Sequence, residues 1–154
     1  MSTTDKEEIM HTDKALRLTQ AGADAVMRAA VAKANEIGVP MSIALVDEGT
    51  NLLRFTRTEG GKVHTIAIAM AKARAAASNR LPTAKIGSTG NELSDYGGIA
   101  ITLAAGPERY ATLPGGLPIM VDGHCVGGIG VSGGLGEQDV LVAQAGHSAL
   151  AASA

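Results

Sequence analysis

A chain of 154 residues, 45% of them hydrophobic, is the usual size of one domain, and that apolar content excludes intrinsic disorder. Its one cysteine, Cys125, excludes an internal disulfide framework and a multi-cysteine zinc site. A net charge of −2 and 2% aromatic residues argue against a general nucleic-acid binder.

Residues 1–11 are polar and read as a flexible terminus, followed by a single domain over 12–152. Asp5, Lys6, Glu7, Glu8 and Asp13 are unlike a signal peptide, and no apolar run reaches the roughly 18 residues of a membrane span. The expected compartment is the cytoplasm.

Thr12 or Asp13 can cap a first helix, and the apolar positions from Leu16 to Ile37 recur near a helical period. Gly38-Val39-Pro40 stops it, which predicts a helix over 13–37. Met41 to Val46 alternates as a strand. Asp47-Glu48-Gly49-Thr50 reads as a turn with Gly49 at positive φ, and Asn51 to Arg57 returns as a second strand. After Gly60-Gly61, residues 63–79 read as an Ala-rich helix buried on more than one side.

Pro82 closes that helix, 83–98 is turn-rich, and Ile99 to Leu103 reads as a strand. Leu117–Val121, Asp122-Gly123 and Cys125–Ser132 form a second hairpin, and a last helix covers 137–152. The order is α-β-β-α-β-β-β-α. It predicts an α+β domain built on a five-stranded antiparallel sheet flanked by helices.

Two motifs invite functional readings that their surroundings do not support. Gly128-Ile129-Gly130-Val131-Ser132-Gly133 matches G-x-G-x-x-G, but no parallel strand ending in an acid follows it before Ala154. The expected role is close packing of a helix or subunit on a glycine strand. Gly130 to Gly134 matches G-x-S-x-G, but only His147 follows, in the adjoining helix. Ser132 is expected to cap the turn before that helix.

No two of His11, His64, His124 and His147 stand at metal-pair spacing. His124 is expected in solvent, and His147 packed with one hydrogen bond. His64 opens the second helix, where free N–H groups and the helix dipole favour an anion and a neutral imidazole. Charge is segregated: seven basic residues against Glu59 over 54–85, then Arg109 against six acids from 86 onward. Arg54 and Arg57 project to opposite faces of a regular strand, so one of them should approach His64 as a carboxylate or phosphate fork. The expected site is a concavity where Arg54, Arg57, Gly60, Gly61 and His64 converge, closed by the Gly115-Gly116 loop. If the chain turns over substrate, Arg57 holds a carboxylate while His64 and Glu59 serve as the catalytic acid–base pair.

Ile43-Ala44-Leu45-Val46-Asp47, Gly49, Arg57, Gly60-Gly61, Ile68-Ala69 and Lys72-Ala73 resemble the GlcG/HbpS family, which includes PduO C-terminal-like domains. So do Pro114 to Ile119, Asp122-Gly123, Val126 to Gly134 and Gln138-Asp139, and the likeness spans about residues 12–150. The resemblance implies a five-stranded antiparallel sheet flanked by helices in profilin-like layers, and homo-oligomers from dimer to octamer. It also implies a small anionic ligand, haem above all, held beside helix 63–79. In that reading His64 or His11 ligates the iron and Arg54 or Arg57 pairs with propionates. A second implication is a cofactor-independent lyase acting on a hydroxylamino-aromatic acid in aromatic catabolism.

Overall fold

The structure, a computed structural model, describes residues 11–151; the flexible terminus expected over residues 1–10 and the helix and domain end expected at 152 lie outside these. Its elements are α1 (Gln20–Ile37), β1 (Ser42–Asp47), β2 (Leu52–Arg57), α2 (His64–Asn79), α3 (Asp95–Ala105), β3 (Gly116–Val121), β4 (His124–Ser132) and α4 (Gly136–Ser148). The strands form one antiparallel sheet in the order β2-β1-β4-β3. Among the described residues no helix is long and apolar enough to cross a membrane.

The strict alternation of β1 builds both layers. Ile43 and Leu45 face α1 and α4 together with Met41, Ile129, Val131 and Val142. Ala44 and Val46 face α2 and meet Ala69, Ala73 and Ala77. The second layer is thin because both surfaces are small. A Cβ on Gly130 would lie 2.1 Å from the Ala69 carbonyl oxygen, and one on Gly128 would lie 2.3 Å from that of Ala73. The G-x-G-x-x-G run is therefore a seat for α2.

Two turns show how local chemistry sets the ends of elements. Asp122 (φ 49°) and Gly123 (φ 77°) are both left-handed, as a two-residue I′ hairpin requires. Gly38, at φ 77°, ends α1 where expected.

The structure departs from the sequence expectations at five places. α1 begins at Gln20 rather than at 13, because Thr19 is the residue whose side chain accepts from the free Gly22 N–H. In the first turn the left-handed residue is Thr50 (φ 68°) instead of Gly49. Asp47 Oδ1 accepts from the Gly49 and Asn51 N–H groups and holds that turn. Ser132 ends β4 and caps nothing, and α4 starts after Leu135. His147 Nδ1 is buried with no hydrogen-bond partner among the described residues.

The largest departure is the sheet itself, which has four strands. Ile99 to Leu103, expected as the fifth, is the middle of α3. Ser94 caps that helix by accepting from the Gly97 N–H at 3.0 Å, and Asp95 adds an acid to its first turn. The β-branched Ile99, Ile101 and Thr102 favour a strand, but the cap decides.

Candidate functional site

α2 spends its inner face, Ala69, Ala73 and Ala77, on the sheet. Its helical period then turns Ala67, Ile68 and Ala71 outward. α3 stands across from them, and the chain from Pro107 to Leu113 forms the far wall. Between these walls lies an open hollow of about 600 Å³. Its lining is almost wholly apolar, which is the character of a small-molecule site.

α3 is built to stand there. It is an apolar helix, yet it buries only Gly98 and leaves Ile99 63% and Leu103 66% exposed. An apolar surface this open is informative in a way that a single exposed leucine is not. The chain entering α3 is pinned: the Thr83 N–H donates to the Gly116 carbonyl, and Thr83 Oγ1 donates to Leu113 O at 2.6 Å. An Ile86–Glu92 bridge then turns the chain back.

The charged lining residues are Lys85 and Asp95. Lys85 Nζ donates to Asp95 Oδ1 at 2.6 Å, with the two side chains 41% and 92% exposed. That hydrogen bond raises the lysine's pKa and lowers that of the carboxyl. Gly98 positions the lysine, since a Cβ there would lie 3.0 Å from Lys85 Cγ. Tyr110 also lines the hollow; its hydroxyl makes a long 3.5 Å contact to the Ile86 carbonyl, and burial raises the phenol's pKa. Thr102 donates to its own helix at Gly98 O.

The residues singled out in the sequence lie elsewhere. Arg54 and Arg57 do project from opposite faces. Arg54 lies against α1, where its Nε donates to Asp24 Oδ1 at 2.8 Å and its other donors reach Leu53 O and Gln20 Oε1. Arg57 lies on the α2 side, and its stem runs along Gly61, where a Cβ would come within 2.7 Å of Arg57 Cγ. Glu59 and His64 are exposed, and Gly60 packs on Pro40. The expected convergence of both arginines with Gly60, Gly61 and His64 therefore does not form, and none of these residues lines the hollow.

Gly115 and Gly116 are buried and do not line the hollow. A Cβ on Gly115 would meet Val131 O at 2.6 Å, and one on Gly116 would meet Lys72 O at 2.6 Å. His11 is exposed, and the nearby Asp13 and Lys14 border a different hollow with Ala77 and Arg80. That is the C-terminal end of α2, whereas His64 opens its N-terminus, and neither imidazole lines the hollow between α2 and α3. No three of His, Cys, Asp and Glu gather to hold a metal ion among the described residues.

The hollow borders helix 63–79 along Ala67, Ile68 and Ala71 and not at the Gly60-Gly61 hinge, so its place and its walls both differ from the expected ones. α3 did leave a signal: Ser94-Asp95 followed by Ile99 and Leu103 at helical spacing. Lys85 and Tyr110 carry none, because only the chain reversal after α2 brings them to the hollow.

Residues 18–148 match the family described as haem degrading protein, HbpS-like. An uncharacterized 15.0 kDa protein of Citrobacter freundii, from a dhaT-dhaS intergenic region, is 35% identical over 82% of this chain and 87% of its own. The Klebsiella pneumoniae protein ORFY superposes with a TM-score of 0.80 at 32% identity, covering 94% of this chain and 98% of that one. A PduOC:haem complex superposes with a TM-score of 0.75 at 26% identity, covering 87% and 95%.

Proposed function

The chain belongs to the HbpS-like family, and from that membership together with the hollow we propose that it binds a small, apolar, anionic molecule between α2 and α3. The observation that carries this reading is an almost wholly apolar groove of about 600 Å³ with one cation, Lys85, at its edge. Burying apolar ligand surface supplies the affinity, and a carboxylate on the lysine fixes the orientation.

Haem is the occupant the family suggests, since PduOC was solved with it. The apolar walls suit a porphyrin, and Lys85 suits a propionate. The iron is a different matter. Haem iron is held by histidine, cysteinate, methionine or tyrosinate. Among the described residues the lining includes no histidine, cysteine or methionine. Tyr110 is engaged with Ile86, and its burial favours the neutral phenol over the phenolate that would bind iron.

The lyase reading needs an acid and a base facing a bound aromatic acid. His64 and Glu59 are exposed outside the groove, so nothing in the geometry favours it.

The reading is tested by titrating ferric haem into wild type and Ala67→Trp. Ala67 is an exposed groove residue, so the indole fills the cleft and leaves the core alone. Wild type should bind, and Ala67→Trp should bind at least about tenfold more weakly with an unchanged melting temperature. Equal binding by both proteins places the ligand elsewhere.

A further inference from the structure

We propose that the groove recognises its occupant as an apolar carboxylic acid, held by the α2 and α3 walls and by Lys85, with no bond from this chain to any metal that the occupant carries. This rests on the groove being the binding site and goes further by naming the chemical class it selects.

The argument starts from Lys85. Its alkyl stem lies along the first turn of α3, in the space left by the missing side chain of Gly98. The stem therefore forms part of the apolar wall while the ammonium stands at the rim. The ammonium already holds a carboxylate, that of Asp95, at 2.6 Å. A ligand carboxylate arriving at the same place meets a donor already set for that geometry. Asp95 is 92% exposed on its side chain, so releasing it returns a carboxylate to water and leaves no buried charge unpaired. The exchange is one carboxylate for another on the same three-donor head.

The remaining polar groups of the lining do not select a ligand in the same way. Thr102 is bonded within its helix, Tyr110 contacts a backbone carbonyl, and Thr112 adds one neutral hydroxyl that carries no charge to pair with a ligand. Shape, apolar area and one ion pair are then the means of recognition. A haem and the same porphyrin without iron offer these walls the same body and the same carboxylates. They differ only at the metal, for which the lining holds no imidazole, thiolate or thioether.

The test compares ferric haem with iron-free protoporphyrin IX on wild type, Lys85→Met and Lys85→Arg. Wild type should bind the two porphyrins with dissociation constants within about threefold of each other. Lys85→Met keeps the stem and loses the charge, and should weaken both by about tenfold, whereas Lys85→Arg should restore most of the binding. Haem bound more than about tenfold tighter than protoporphyrin, with a low-spin spectrum, shows ligation of the iron and overturns the proposal. Equal binding by wild type and Lys85→Met overturns the role of the lysine. Binding of neither porphyrin by wild type removes the groove reading together with this one, so the two failures are distinct.

Discussion

Lys72 on α2 and Asp139 on α4 form a buried ion pair across the sheet, with Nζ 3.0 Å from Oδ2 and side chains only 3% and 5% exposed. The lysine also donates to Val131 O at 2.7 Å, and Asp139 Oδ1 accepts from the Gly134 N–H. Burial pushes the lysine's pKa down and the carboxyl's up, against the attraction between them. Desolvation is the larger influence on both groups, so the pair joins the two layers without being a large source of stability.

Removing one partner should therefore be worse than removing both charges. Lys72→Met strands a buried carboxylate and should cost about 3–5 kcal/mol in urea unfolding. Lys72→Met with Asp139→Asn keeps an acceptor for the Gly134 N–H and should recover part of that loss. The pH dependence follows from the sign. A carboxyl whose folded pKa is raised contributes stability that is present below its unfolded pKa and is lost as pH rises through the folded value. Without Lys72 that value rises further, so the deficit of Lys72→Met relative to wild type should grow as pH rises above the ordinary carboxylate range, about 4. A deficit that stays constant with pH refutes the assignment of the charge to Asp139.

Two glycines of different kinds should respond differently to alanine. Gly38 has φ 77° and open space around it, so Gly38→Ala pays only for the left-handed conformation, about 1 kcal/mol. Gly130→Ala places its methyl 2.1 Å from Ala69 O and 2.3 Å from the Ala73 nitrogen. No rotamer relieves a clash with backbone, so α2 must lift from the sheet and the loss should exceed about 3 kcal/mol. Equal melting points for the two variants would show that α2 does not seat on Gly130.

The cap of α3 offers a local test. Ser94→Ala removes the acceptor for the Gly97 N–H and should cost about 1 kcal/mol. Because α3 buries only Gly98, the cost should stay within that helix. Amide exchange over 95–105 should accelerate about fivefold while global unfolding barely moves. Uniform acceleration across the sheet would mean that α3 unfolds only with the whole protein.

Much of the architecture was legible from neighbouring residues. The Asp122-Gly123 pair predicted a hairpin, and both residues take positive φ. The alternation from Met41 to Val46 predicted a strand, and β1 forms there with both faces covered. The glycines of β4 signalled close packing, and α2 is what packs there. The reading failed where two local signals competed. In Ile99-Ala100-Ile101-Thr102-Leu103 the β-branched residues favour a strand, whereas the Ser94-Asp95 cap just before them starts a helix. The site suffered most, because α3 is one wall of the groove and Arg54, given a ligand role for its charge, is engaged by Asp24 from a helix 30 positions away.

The order of charges, caps, turns and alternating faces determined every helix and strand but α3, the two hairpins and the family the chain resembles. Those properties depend on interactions within a few residues. The groove, the seating of Lys85 along Gly98 and the pairing of Lys72 with Asp139 across 67 positions were decided only by the tertiary structure. Which side chains share a cavity depends on how far apart the layers settle, and packing of the whole chain sets that distance.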